Sequence, residues 1–443
     1  MSFAFNTHNV FFLLDKTLHL AGRVHVHDDK HYTDFPNAVV AYTPALRNRR
    51  LVHISYATDS ETNPGTVCVI SEGPDAALFS WGCNLHAQQK QIQRRSRRLN
   101  TEDSERVYSG HPIRRGREYF SDETPVSSAC NTSTIMVVTR EGGLWYMGKC
   151  PIEPPTPNPP KHESFIPTLI PPSLFDGTKN VEIAAGYHHL VAVCKKGFIW
   201  AWGSNEHDEV GLETEDKFIV SPIRLDHMLY GGHLMRTVAA GNSHSGAVSV
   251  EGICFQWGKR HELEWACVSP PNMTAHHPNA NSEYIASRFQ NVCCGSSMTL
   301  SLDTQGRVWS QGYANNGQLG LGRTQRSAVP QLITGFPLGD IITKISCGYS
   351  NSGAITRGGD VYVWGNKYIH PEQRTTMNRL RSLEAYIPFD DTPVCIKKIH
   401  KFSPKNELAF LMASVNKLNI GPSALSDMPL ELFESILRPY KPT

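Results

Sequence analysis

The chain has 443 residues, with 43 Lys and Arg against 41 Asp and Glu, a formal net charge of +2. That balance excludes a global field for nucleic acid or an anionic membrane and leaves only a local patch to consider. Hydrophobic residues make up 40% and aromatic residues 9%, enough to build a core, so wholesale disorder is excluded.

The first apolar run is Val10-Phe11-Phe12-Leu13-Leu14, ended by Asp15 and Lys16. It is too short to span a membrane, and no apolar run in the chain reaches the roughly 18 residues that spanning needs. No basic segment precedes it, so a signal peptide is not expected. The 11 cysteines include no C-x-x-C pair and lie mostly in apolar, strand-like surroundings. They read as buried thiols of an intracellular protein, cytoplasmic or nuclear, rather than as a disulfide framework or a zinc site. His25, His27 and His31 form the densest histidine group, with Asp28 and Asp29 between them. They read as exposed strand residues, because no fourth ligand is indicated, and no metal is expected.

A segment ending in glycine recurs along the chain, at Gly22, Gly82, Gly148, Gly203, Gly258, Gly312, Gly365 and, weakly, Gly421. The mean spacing is about 57 residues, a period that marks a repeat architecture. Three positions before the marker stand Phe79, Trp145, Trp200, Phe255, Trp309 and Tyr362. One position before it stand Trp81, Met147, Trp202, Trp257, Gln311 and Trp364. These columns are two residues apart, so they share one face of a strand. Six positions before it stand Gly142, Gly197, Gly252, Gly306 and Gly359, each between two apolar runs. A glycine there predicts a hairpin turn with positive φ. Each repeat therefore holds at least one hairpin, with room for two more strands. An isolated hairpin is marginal in water, and a ring of sheets packed face to face buries what one repeat cannot. His189 and His244 occupy one repeat column, so they are expected to be core histidines bonding between strands rather than catalytic groups.

Two segments depart from the repeat. Residues 85–118 form a basic insertion, with Arg94, Arg95, Arg97 and Arg98 followed by Arg114, Arg115 and Arg117. It reads first as a solvated loop. Arg94, Arg95, Arg97 and Arg98 are also the candidate patch for nuclear import or for a phosphate backbone. No aromatic residue interleaves with them, so base stacking is not suggested. Residues 151–172 hold nine prolines and read as a stiff extended connection across the edge of that ring.

Residues 186–193 and 197–205, together with Gly306-Arg307-Val308-Trp309 through Gln318-Leu319-Gly320-Leu321-Gly322, resemble the repeat of the regulator of chromosome condensation family. The resemblance covers about residues 10–421. It implies an all-β, seven-bladed β-propeller over residues 1–421, with the N-terminal strand near 10–21 and C-terminal strands near 394–413 meeting to close the ring.

Residues 422–443 stand apart. Leu425 to Leu437 reads as a short amphipathic helix, with Asp427 able to cap it and Pro429 in its first turn. Met428, Leu432 and Ile436 fall on one face at i, i+4 spacing. The segment resembles the first helix of an F-box, which implies that Met428, Pro429, Leu432 and Ile436 form an adaptor-docking face.

No nucleophile–base constellation, phosphate-cradling loop or metal motif stands out, so neither a catalytic residue nor a cofactor is expected. The expected function is a non-enzymatic, monomeric interaction platform that takes a protein partner on its loop faces. It has no membrane role, and nucleic acid could be reached only through the basic loop. The family resemblance adds guanine-nucleotide exchange on a small GTPase as an alternative. The C-terminal resemblance adds a second, substrate receptor of a ubiquitin ligase.

Overall fold

The structure, a computed structural model, describes most of residues 3–365 together with 394–395. The longer stretches outside the description are 26–31, 58–65, 84–107, 150–162, 259–281, 366–393 and 396–443.

The described strands form seven antiparallel sheets, and helix is almost absent. The fourth sheet shows the pattern: Asn180–Ala185, His189–Cys194, Ile199–Ser204 and Phe218–Arg224, paired in chain order. In the second to seventh sheets the aromatic strand is the third. Gly203 lies opposite His189, and Trp202 opposite Leu190. The hairpin glycines behave as predicted, with φ of 92° at Gly142, 81° at Gly197, 85° at Gly252, 82° at Gly306 and 86° at Gly359.

The first strands of the sheets lie side by side in chain order. They are Phe3–Phe5, Arg50–Ala57, Pro125–Cys130, Asn180–Ala185, Met235–Ala240, Phe289–Cys294 and Ile342–Cys347. Phe3–Phe5 lies against both Arg50–Ala57 and Ile342–Cys347, so the first strands make a closed circuit around a central opening. This is an all-β propeller.

Of the C-terminal segment expected to meet the N-terminal strand, 394–413, only 394–395 lie within the described residues. The first sheet takes all four of its strands from residues 3–40: Phe3–Phe5, Asn9–Leu14, Thr17–His25 and Tyr32–Val40. Gly22 pairs with Asn9 and so belongs to a third strand, with two strands before it. Val394 and Cys395 pair with Val363 and Tyr362 on the outer edge of the seventh sheet, not with the N-terminal strands. Gly421 and the expected helix at 425–437 lie outside the described residues.

The aromatic columns form the packing between sheets. Phe79, Trp145, Trp200, Phe255, Trp309 and Tyr362 are all buried, as are Trp202, Trp257 and Trp364. Each of five column residues meets a second aromatic edge-on or tilted from the connection that leads into its own sheet. Phe120 meets Trp145 at 5.6 Å between ring centroids, Phe175 meets Trp200 at 5.3 Å, and Tyr230 meets Phe255 at 6.2 Å. Tyr284 meets Trp309 at 5.3 Å, and Phe336 meets Tyr362 at 5.2 Å. Such pairs add about 0.5–1.5 kcal/mol each beyond the area they bury. Three of these partners close short 3-10 turns: Arg117–Phe120, Pro172–Phe175 and His227–Tyr230.

The basic insertion is shorter than its composition suggested. Residues 108–116 are the outer strand of the second sheet, and 117–120 are the 3-10 turn. Arg114 pairs with Asp75 and Glu118, while Arg117 donates to the Asp122 carbonyl oxygen. Arg115 points inward and is buried. Its Nη1 lies 2.8 Å from Ser80 Oγ, and its Nη2 donates to the Phe165 carbonyl oxygen of the next sheet. Burial lowers its pKa to about 10. Adjacent strand residues face opposite sides, so two arginines in succession cannot both face water. Likewise Glu163–Leu169, the tail of the proline-rich stretch, is the outer strand of the third sheet rather than a connection.

Candidate interaction surface

Each first strand ends at a turn leading into the second strand, at 186–188, 241–243, 295–297 and 348–350. Alternating strand direction brings the third strand back to this same end. The Ser204 amide donates to the His188 carbonyl oxygen (2.9 Å) and the Tyr313 amide to that of Ser297 (2.8 Å). The connections from third to fourth strands therefore leave the sheets at the end where the central opening is rimmed by these turns. They include 84–107, 150–162, 205–217, 313–326 and 366–393.

The rim is stitched by backbone from one sheet to the next. The Tyr187 amide donates to the Gly241 carbonyl oxygen at 3.1 Å. Asn242 donates likewise to Gly295, and Ser296 to Tyr349, both at 3.3 Å. Glycine permits this approach: a Cβ on Gly186 would stand 2.5 Å from the Gly241 oxygen, and one on Gly241 would stand 2.3 Å from the Gly295 oxygen. The repeated glycine 17 positions before the marker thus serves close backbone contact.

The opening has a volume of about 570 Å³ including its mouth, lined at the rim by Tyr56, Asn131, Tyr187, Asn242, Ser296 and Tyr349. Tyr187 is 37% exposed and Tyr349 36%. The rings of Tyr187 and His188 lie 4.2 Å apart. Partial burial and the nearby Lys149 lower the His188 pKa, so its ring is neutral at pH 7. On the innermost strand of the fourth sheet, Glu182 accepts a hydrogen bond from Thr237 Oγ1 at 3.0 Å. Burial raises its carboxyl to about 7, against the pull of Thr237, Lys344 and Arg236.

The described third-to-fourth connections are held firmly at their bases. The Glu209 carbonyl oxygen accepts from Ser245 Oγ at 2.8 Å and from Trp257 Nε1 at 3.0 Å, both of the following sheet. The Gln318 carbonyl oxygen accepts from Ser352 Oγ at 2.8 Å and Trp364 Nε1 at 2.9 Å in the same way. Trp257 and Trp364 thus do more than fill the core: each grips a surface loop of the preceding sheet. His189 and His244 are buried and bond between sheets, as their shared column suggested.

Arg94, Arg95, Arg97 and Arg98 lie outside the described residues, in the connection between Ala77–Cys83 and Tyr108–Gly116. Met428, Pro429, Leu432 and Ile436 also lie outside them, as do His27, His31 and the side chain of His25. Among the described residues, no group of three or more His, Cys, Asp or Glu is placed to hold a metal, and no helix is long and apolar enough to cross a membrane.

The model of the regulator of chromosome condensation (RCC1) repeat matches residues 305–355. The human probable E3 ubiquitin-protein ligase HERC4 is 31% identical over 186 residues, 42% of this chain and 17% of that protein. The ultraviolet-B receptor UVR8 of Arabidopsis thaliana is 26% identical over 273 residues, 59% of this chain and 60% of its own length. The chain thus spans less than two thirds of either relative. Among solved structures, Prp20p of Saccharomyces cerevisiae, the yeast RCC1, superposes with a TM-score of 0.59 at 16% identity, over 83% of this chain and 82% of its own. That structure is described together with the protein's binding to Gsp1p and histones.

Proposed function

Because this chain is a β-propeller of the regulator of chromosome condensation repeat type, we propose that it is a binding platform, not an enzyme, and takes a protein partner on the face around Tyr187 and Tyr349. One observation carries the reading. The third-to-fourth connections emerge at one end of the ring, around a rim locked by inter-sheet backbone bonds. A rigid scaffold carrying variable loops is the usual arrangement for recognition. We read the ring as seven blades, one for each sheet, and the chain as a monomer. The basic cluster Arg94, Arg95, Arg97 and Arg98 lies in the connection whose described ends, Cys83 and Tyr108, are at this end of the ring, and it would add positive charge for an acidic partner or a phosphate backbone.

The test is quantitative mass spectrometry of proteins captured from lysate by the full chain and by two double variants. Tyr187→Ala with Tyr349→Ala should lose the specific partners. Leu234→Ser with Val250→Ser, at exposed positions of the opposite end, should keep them. The reverse pattern would move the interface to the other face.

A second reading is favoured by the likeness to Prp20p. A small GTPase of the Gsp1p kind would be the partner, with exchange achieved by stabilising its nucleotide-free form, so that differential binding is the whole mechanism. Release of labelled GDP from such a GTPase, with and without micromolar propeller, decides it, and an unchanged rate rejects it. The ubiquitin-ligase reading rests on the C-terminal segment alone. Under it, removal of residues 422–443 abolishes adaptor capture while the propeller stays folded.

A further inference from the structure

Cys293 and Cys347 sit on neighbouring first strands, Phe289–Cys294 of the sixth sheet and Ile342–Cys347 of the seventh. Their sulfurs are 2.8 Å apart, and Cys347 Sγ also lies 3.4 Å from the Cys293 carbonyl oxygen. Both are free thiols in half-buried residues, whereas Cys68, Cys130, Cys194, Cys254 and Cys294 are buried. Cys347 also lines the central opening beside the Tyr349 rim, the side from which a soluble thiol reagent would approach it.

Cys294 also lines the opening but faces the other way. A Cβ on Gly246 of the fifth sheet would stand 3.3 Å from Cys294 Sγ, and Cys294 packs with Ala239 and Val248 of that sheet. Cys293 packs instead with Cys347 in the cluster between the sixth and seventh sheets. Strand alternation produces this split. It leaves Cys293 one sulfur partner, across the sheet boundary.

We propose that Cys293 and Cys347 form a reversible redox pair that staples the sixth and seventh sheets together when the glutathione pool becomes oxidised. The reaction is thiol–disulfide exchange with glutathione disulfide. The Cys347 thiolate attacks one sulfur of glutathione disulfide and releases one glutathione thiolate, leaving Cys347 in a mixed disulfide. Cys293 then loses its proton to solvent and attacks the Cys347 sulfur, which expels the second glutathione. Two protein thiols are oxidised by two electrons, and one glutathione disulfide is reduced to two glutathiones. Burial and the neighbouring Cys347 sulfur hold the Cys293 thiol well above its ordinary range. The second step is therefore the slow one and speeds up as pH rises. The staple fixes the strand that leads into Gly348 and Tyr349, so it sets the stiffness of one part of the rim.

The experiment uses the full chain, equilibrated with graded ratios of glutathione disulfide to glutathione, alkylated, digested without reduction and mapped by mass spectrometry. The expected result is a linked peptide pair joining Cys293 to Cys347 as the dominant new disulfide. Thermal unfolding should shift upward by roughly 3–10 °C in the oxidised wild type, reverse with dithiothreitol, and be absent in Cys293→Ser and Cys347→Ser. Cys347 found only as a glutathione adduct, or no linked pair at any ratio, overturns the proposal. The wild-type peptide map decides the matter even if a serine variant folds poorly.

Discussion

His189 Nε2 lies 2.8 Å from Ser245 Oγ, in the next sheet of the ring. The Ser245 hydroxyl donates onward to the Glu209 carbonyl oxygen at 2.8 Å, so the histidine is the donor at Nε2. The chain of bonds runs from the core of the fourth sheet, through the fifth, to the base of a surface loop. The motif recurs as His244 with Thr299 (3.1 Å) and, with sulfur in place of the ring, as Ser352 with Met298 (3.3 Å). Ser245→Ala should destabilise the protein by about 1–3 kcal/mol, because it strands the buried ring N–H and removes one of the two donors to the Glu209 carbonyl oxygen. Ser352→Ala should cost less, since a thioether is a weak acceptor. Denaturant midpoints of the two variants check the order.

Acid should weaken the fold through the same residue. Burial lowers the His189 pKa to about 3 from an ordinary 6.5, so the native ring is neutral where the unfolded chain's is charged. Between those values the unfolded state binds the extra proton. Stability therefore falls as pH drops from 6.5 towards 3, by up to about 1.4 kcal/mol per pH unit for this group. His189→Asn should be less stable at pH 8 but show a shallower acid limb in stability against pH.

Glu182 works in the opposite direction. Its carboxyl is raised to about 7 from 4.5, so the native state keeps a proton that the unfolded chain releases. Its contribution is full below pH 4.5 and is lost as pH rises towards 7. Glu182→Gln should therefore stabilise the protein by about 1–2 kcal/mol at pH 8, and by much less at pH 5. An equal effect at both pH values would mean that the carboxyl titrates normally.

The rim glycines predict a steric cost distinct from backbone strain. Gly241 is not in the left-handed region, yet a Cβ there would meet the Gly295 oxygen at 2.3 Å. Gly241→Ala should destabilise by about 1–3 kcal/mol. Gly232, with φ of 78° and nothing within 4 Å, tests the alternative cost. Gly232→Ala should cost about 1–2 kcal/mol through conformation alone. Amide exchange should separate them: only the first change should loosen the Tyr187 and Asn242 amides.

Phe175 touches both Trp200 and Trp202, at 5.3 and 6.0 Å between centroids. Phe175→Ala should cost about 3–5 kcal/mol, the usual range for a buried aromatic. Phe175→Leu should recover more than half of that in thermal scans.

Much of this was legible in the primary structure, and the rest was hidden for physical reasons. The marker columns Phe79 to Tyr362 and the hairpin glycines could be read because a strand pleat and a tight turn each demand a residue type at fixed spacing. The edge-on partners were within reach but unmarked. Phe120, Phe175, Tyr230 and Tyr284 each stand 25 residues before the aromatic they meet, inside connections of otherwise unlike composition. Arg115 was lost in a charge count, because counting cannot say which of two neighbouring strand residues turns inward. Hydrogen bonds to carbonyl oxygens, such as Trp257 to Glu209, leave no trace in residue identity at the acceptor. Gly22 sits in a third strand, where the marker column places it, but the column says nothing of the two strands before it, so the pairing at the seam was not legible.

That seam has a mechanical meaning. Among the described residues, the first and seventh sheets share no strand, and Phe3–Phe5 simply lies alongside Ile342–Cys347. Through the described residues, the circle is fastened there like a clasp bracelet rather than by a link threaded through both ends. Tension applied between the two ends of the propeller should part this seam at lower force than any sheet unravels. Single-molecule stretching would then show an early, small extension, with the ring sprung into an open fan before any hairpin is lost.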